Sequence, residues 1–135
     1  MSTLDVVSAL STAINGITPT IDTEWENIPY TPIVDIPYQS VSFNDFRTDN
    51  PEIGGPVYNL LSIVTIELMY PLLKGTGDIL ARADQYKTIF KQSASFVYNG
   101  QTVYSIKTPY ISKGVVDGDR WKVTVKIFYS AWINF

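Results

Sequence analysis

Neither cysteine nor histidine occurs anywhere in the 135 residues. Their absence excludes thiolate zinc centres, iron–sulfur clusters, disulfides and cysteine nucleophiles. It equally excludes Ser-His-Asp and Cys-His catalysis and any histidine metal site or pH switch. Charge is scarce too: Asp, Glu, Lys and Arg make up 17% of the chain, against a usual ~25%. A surface this poor in charge suits a subunit that hides part of itself against neighbours. Long apolar runs are missing. The most apolar stretch, Leu60 to Leu73, is interrupted by Ser62, Thr65 and Glu67, and a spanning helix needs about 20 apolar residues. The start, MSTLDVVSAL, has no basic n-region, so it does not read as a secretory signal. The chain reads as soluble, with no membrane partner.

What is present is one domain's worth of chain, residues 1–135, with 45% hydrophobic residues and a net charge of −3. Net acidity disfavours specific nucleic-acid binding, which needs clustered Lys and Arg. The charge is also unevenly distributed. Residues 1–60 carry eight acidic side chains and one basic, a balance of −7, whereas residues 61–135 carry five acidic and nine basic, a balance of +4. The halves attract each other, within a subunit or between subunits.

Residues 2–15 read as a helix. Ser2-x-x-Asp5 resembles a capping box, Leu4, Val7, Leu10 and Ile14 form an apolar stripe, and Gly16 is expected as a left-handed stop. Residues 16–37 hold Pro19, Pro29, Pro32 and Pro37, too many for helix or central strand. Their apolar content, Trp25 above all, predicts an ordered arm lying on the body with Trp25 largely buried. Tyr38 to Phe46 reads as a strand with Val41 and Phe43 on one face, and residues 45–56 as a projecting polar loop. Val57 to Tyr70 is the strongest strand, with Leu60, Val64, Ile66 and Leu68 on one face; it would span roughly 46 Å. After Pro71, Thr76-Gly77-Asp78 opens a helix to about Ser93, with Ile79, Ala83, Tyr86 and Phe90 inward. Asn99-Gly100 marks a hairpin between Ser95–Tyr98 and Thr102–Lys107. A last hairpin turns at Asp117-Gly118, and its return strand is Arg120 to Trp132, with Trp121, Val123, Val125, Ile127 and Tyr129 on one face. The expected fold class is α+β: a single mixed or antiparallel sheet, two helices packed on one face, in the order α-β-β-α-β-β-β.

Four constellations invite chemistry. Lys74-Gly75-Thr76-Gly77 precedes a helix, but a phosphate loop places its Lys after the glycines, so a tight turn is the better reading. Asp22, Glu24 and Glu26 around Trp25 could flank a sugar, although glycoside hydrolysis needs two carboxyls at a fixed separation. Asp45, Asp49 and Glu52 lack the spacing of a calcium loop. Arg120, Lys122 and Lys126 share the alternate face of the last strand. They can form a solvated face, touch nucleic acid, or meet the acidic half of a neighbour.

Several motifs converge on one family. Trp25-Glu26-Asn27-Ile28-Pro29-Tyr30-Thr31-Pro32 resembles the W-E-N-x-P-aromatic-x-P segment of phage tail terminator-like proteins. Gly54-Gly55-Pro56 before a long strand, Lys74 to Gly77 before the second helix, and Arg120 to Ile127 as the closing strand are similar to the same family. The resemblance implies a tail-completion subunit of the virion, assembled in the host cytoplasm. It further implies a homo-oligomeric ring, commonly hexameric, at the head-proximal end of the tail. Such a ring would cap the tail tube, stop its polymerisation and present a surface for head joining. Its partners would be further copies of itself, the tail tube protein and the head–tail connector protein. No catalysis, cofactor, metal or small-molecule substrate is implied. Alternatives are another tail or neck component, such as a tube or head-joining subunit, or a small carbohydrate- or metal-binding module. The interface candidates are Asp45, Arg47, Asp49, Glu52, Ile53, Val57 and Tyr58 at the loop, and Arg120, Lys122 and Lys126 on the last strand.

Overall fold

The computed structural model describes residues 2–134. Two helices and nine strands follow one another: α1 (Thr3–Asn15), β1 (Asp22–Trp25), β2 (Tyr38–Phe43), β3 (Arg47–Asp49), β4 (Val57–Pro71), α2 (Gly77–Ile89), β5 (Ser95–Tyr98), β6 (Gln101–Ser105), β7 (Tyr110–Ile111), β8 (Val115–Asp117) and β9 (Arg120–Asn134). The α+β class is as expected, but the order contains three short strands, β1, β3 and β7, that the pattern did not reveal; β8 is the outgoing strand of the hairpin expected at Asp117-Gly118. All nine belong to one sheet, ordered β1-β2-β4-β9-β6-β5, with β3 added to β4 and both β7 and β8 added to β9. Only β1–β2 is parallel.

The spine is the antiparallel ladder of β4 and β9, fifteen residues each, running from Val57↔Asn134 to Pro71↔Arg120. Alternation decides which face is buried. Leu60, Val64, Ile66 and Leu68 stand opposite Ala131, Ile127, Val125 and Val123, and all eight are buried. Both helices cover that face. Val6, Ala9, Leu10 and Ile14 of α1 and Ile79, Ala83 and Tyr86 of α2 join those strand residues in one hydrophobic cluster. Each large apolar side chain so buried contributes about 1.5–3 kcal/mol.

The α2 stripe is as read, including Phe90 just beyond the helix. That of α1 is rotated. Leu4 is 72% exposed whereas Val6 and Ala9 are buried. Ser2 caps α1 by accepting from the Asp5 backbone N–H at 3.2 Å. Gly16 is not left-handed: its φ is −83°, and the helix ends with Gly16 N–H donating to the Thr12 carbonyl. The Asn99-Gly100 turn is as expected, with φ of +49° and +79°, the type I′ geometry that matches strand twist. Among the described residues no helix is long and apolar enough to cross a membrane.

Candidate functional site

The segment from Asp45 to Pro56 is less of a free loop than its polarity suggests. Arg47, Thr48 and Asp49 form β3, paired with Leu61, Leu60 and Asn59. Only the tip departs from the sheet. Gly55 N–H donates to the Glu52 carbonyl, closing a turn whose apex carries Ile53, 106% exposed. Asp45, Arg47, Asp49 and Glu52 are all exposed around it. Val57 and Tyr58 open β4 beside the tip, half-buried, with Tyr58 packed against the core cluster. The structure therefore gathers the seven loop candidates at one end of the β4–β9 ladder.

The three basic candidates lie elsewhere and do not form an exposed stripe. Arg120 pairs with Pro71 at the opposite end of the ladder, roughly 40 Å from Asn59 at 3.3 Å per residue. It is 4% exposed. Its Nη2 donates to the Ile33 carbonyl at 2.6 Å and its Nη1 to the Ile36 carbonyl, with the guanidinium carbon 5.1 Å from the Tyr38 ring centre. Alternation correctly aims Arg120 away from the core, but the arm folds over that end of the outer face and covers it. Burial raises the Tyr38 phenol above its ordinary value, opposed by the Arg120 charge. Lys122 pairs with Asp117 at 3.4 Å in the same turn. Lys126 is exposed midway along the ladder, opposite Thr65.

The arm itself is a strand followed by a crossover. β1 runs alongside β2, and residues 26–37 return to the start of β2. A second arginine fixes its beginning: Arg82 on α2, 3% exposed, donates to the Pro19 carbonyl, and Gln85 donates to the Thr18 carbonyl at 2.7 Å. Trp25 is mostly buried and packs against the core cluster, as expected, with a cleft on each of its sides. Ile17, Ile21 and Trp25 pack into or against the core at the start of the arm, whereas Ile28, Ile33, Val34 and Ile36 are exposed, so the crossover lies against the body through its carbonyls. Two of its acids have structural partners: Asp22 accepts from the Tyr30 hydroxyl at 3.2 Å and Glu26 from the Phe43 N–H at 2.6 Å. Among the described residues no three carboxylates converge as metal ligands would. Lys74 is exposed in the turn before α2.

The outer face of the sheet holds residues that pattern reading passed over. Leu61, Ile63, Ile106 and Phe128 line a cleft together with Asp45 and Arg47, and Lys107 sits 3.9 Å above the Phe128 ring. The signal was available: Leu61 and Ile63 share the parity of Asn59 and Thr65, so both faces of β4 carry apolar side chains. Part of the sequence's charge asymmetry also becomes spatial, although Asp5 accepts from Asn99 at the β5–β6 turn. The acids Asp22, Glu24 and Glu26 lie at the β1 edge, while Lys91 and Lys107 flank the β5–β6 hairpin at the other edge.

A sheet with helices on one face and most of its polar detail spent on internal clasps suits a protein that binds through surfaces. A solved chain whose name states no activity superposes with a TM-score of 0.72 at 14% identity, over 97% of this chain and 96% of the other; at that identity the likeness shows the fold alone. No curated protein matches the sequence. The family profile described as phage tail terminator protein matches residues 5–129, from the first turn of α1 deep into β9. The match takes in the Trp25–Pro32 segment, Gly54–Pro56, the turn before α2 and the Arg120–Ile127 strand, and the chain accordingly belongs to the phage tail terminator family, structural tail-completion proteins of the virion.

Proposed function

We propose that this terminator closes the head-proximal end of the tail tube as a ring of identical subunits, six by resemblance, halts tube growth and offers the surface to which the head connector joins. Its partners on this reading are further copies of itself, the tail tube protein and the connector protein, with no small-molecule substrate and no specific nucleic-acid contact. One observation carries the reading: the two ends of the β4–β9 ladder are chemically unlike. One end carries the acidic tip with Ile53 at its apex, and the other carries the arm clasp and the Asp117–Lys122 turn. A ring that meets the tail tube on one side and the connector on the other needs two unlike faces, and the ladder ends supply them. Exposed ion pairs contribute only ~0–1 kcal/mol each, so the charges at the tip set register and encounter rate, and Ile53 with the neighbouring apolar outer face supplies the affinity.

The test is a variant in which residues 50–55 are replaced by two glycines. β3 and every core residue are kept, so circular dichroism and the melting temperature should stay close to wild type. Phage carrying the variant should show abnormally long or headless tails by electron microscopy. Tails of normal length with heads attached would remove the loop tip from the capping surface. Normal tails in phage lacking the protein altogether would overturn the function itself.

A further inference from the structure

The sheet has two open edges, and they differ in kind. At one end β5, Ser95-Phe96-Val97-Tyr98, contains no charge and no proline. Edges are usually guarded by such residues, because an unpaired row of N–H and C=O groups templates the addition of another strand. Its hydrogen-bonding sense follows from the turn. In a two-residue hairpin the residues flanking the turn exchange both hydrogen bonds, and bonded pairs then alternate with non-bonded ones. Tyr98–Gln101 and Phe96–Val103 are therefore the bonded pairs, and Ser95 and Val97 turn their N–H and C=O groups outward. Phe96 anchors the strand, its ring centre 4.8 Å from that of Phe90 in the core, while Val97 is 66% exposed on the opposite face. At the other end of the sheet β1 carries Asp22 and Glu24, with Glu26 just beyond it.

We infer that the β5 edge of one subunit pairs with the β1 edge of a second copy, so that the sheet continues from subunit to subunit around the ring; this rests on the ring reading above. Strand direction and charge both favour it. From β1 to β5 the pairings run parallel, then antiparallel four times, so β1 and β5 point the same way. β1 stands level with Lys122 to Val125 of β9, whereas β5 starts level with Ser130, so the ring axis is inclined to the strands as in a barrel, where tilts of ~35–45° are usual. Such a rotation absorbs the offset and keeps the junction between copies parallel. Parallel pairing brings the start of β1, with Asp22 and Glu24, to the start of β5, which Lys91 precedes in sequence and where Lys107 follows the end of its partner strand β6. A twofold β5–β5 dimer would leave the acidic edge without a complement.

Glu24 shares the outer face with Ser40, its partner on β2, and Val97 faces the same side of the sheet. The chain has no cysteine of its own, so a Glu24→Cys/Val97→Cys variant treated with a short dimaleimide reports this contact alone. A ladder of covalent dimers, trimers and higher species is expected from the double variant, and from an equimolar mixture of the two single variants only dimers. Dimers from Val97→Cys alone would show the twofold arrangement and overturn the proposal. As a second readout, Val97→Pro removes an outward N–H without touching a β5–β6 hydrogen bond. It should weaken self-association about tenfold or more while leaving the circular dichroism unchanged. Light scattering of the unmodified protein and microscopy of tails separate the two levels of the argument. Rings that form and cap tails without a 24–97 cross-link refute the edge junction and leave the function standing. Absence of any ring, free or on tails, refutes both.

Discussion

The guanidinium of Arg120 donates to the carbonyl oxygen of Ile33 at 2.6 Å, joining the first residue of β9 to a crossover 87 positions earlier. With the second bond to the Ile36 carbonyl, this arginine clasps the arm. Both acceptors are backbone carbonyls, so the contact depends on the planar fork of the guanidinium and not on the identity of the residues it holds. Arg120→Ala should cost about 2–4 kcal/mol in urea unfolding, the scale of hydrogen bonds from a charged donor. It should also expose the arm to proteolysis between Thr31 and Pro37. Lys126→Ala, on the same strand face but exposed, should change stability by less than ~0.5 kcal/mol. Equal effects from the two substitutions would mean that the clasp does not hold the arm.

Tyr86, fully buried on α2, donates its hydroxyl to Gln39 Oε1, and Gln39 Nε2 donates to Thr23 Oγ1 at 2.9 Å. A polar relay thus ties α2 to β2 and β1. Tyr86→Phe leaves a buried acceptor without a donor and should cost about 1–3 kcal/mol, read from the shift in the urea midpoint at unchanged slope.

Burial pushes the phenols of Tyr86 and Tyr129 up to about 12 each. Between pH 10 and 12 the unfolded chain therefore loses these protons while the folded chain keeps them. Stability is complete below pH 10 and falls as pH rises through that window, by at most about 1.4 kcal/mol per pH unit for each group. Tyr86→Phe should flatten the alkaline limb of a stability-versus-pH curve. An identical limb in wild type and variant would show that Tyr86 ionises freely in the folded state.

Gly114 lies against the indole of Trp121: a Cβ placed there would come within 2.4–2.5 Å of ring atoms. A rigid ring packed against the core cannot move aside cheaply, so Gly114→Ala should cost about 1–3 kcal/mol and shift the Trp121 fluorescence. Gly77→Ala, where a Cβ meets nothing within 4 Å, should leave both unchanged.

Trp25→Ala should cost about 2–3 kcal/mol, below the ~3–5 kcal/mol of a fully buried aromatic, since Trp25 packs against the core but keeps part of its surface exposed beside two clefts. Thermal unfolding checks the size. A loss above 3 kcal/mol would mean that the arm depends on this side chain more than on its two arginine clasps.

Where one face of an element is apolar and the other polar, its fate was legible in the sequence. The β9 residues Val123 to Ile127 alternate strictly, and α2 repeats Ile79, Ala83, Tyr86 and Phe90 at helical spacing. α1 is apolar nearly all round, through Leu4, Val6, Val7, Ala9 and Leu10, so periodicity alone could not choose between Leu4 and Val6. β3 has three exposed polar residues and no alternation; it exists because the edge of β4 offers it partners. Arg120 was placed on the correct face, but an irregular segment lying over that face leaves no period to read. Residues 45–58 were legible as a group because they are contiguous. The β5 edge was not, because an open edge is a property of sheet order, which a single strand's residues do not encode.

The β4–β9 ladder has a consequence for how the subunit comes into being. Its rungs join Pro71 to Arg120 and Val57 to Asn134, so each closes a loop of roughly fifty to eighty residues, whose ordering cost precedes any reward. Chains dominated by such distant pairings fold in milliseconds to seconds, not microseconds. α2 and the Asn99-Gly100 hairpin are local and can form early, yet neither has a core to cover until β9 is present. During translation β4 therefore waits, apolar and unpaired on one side, for a strand made about fifty residues later. A ribosome that stalls before Arg120 leaves a chain without its central strand, one that cannot present two finished edges to its neighbours. The position of β9 in the sequence thus acts as a length check: only chains extended through the ladder are competent to join an assembly.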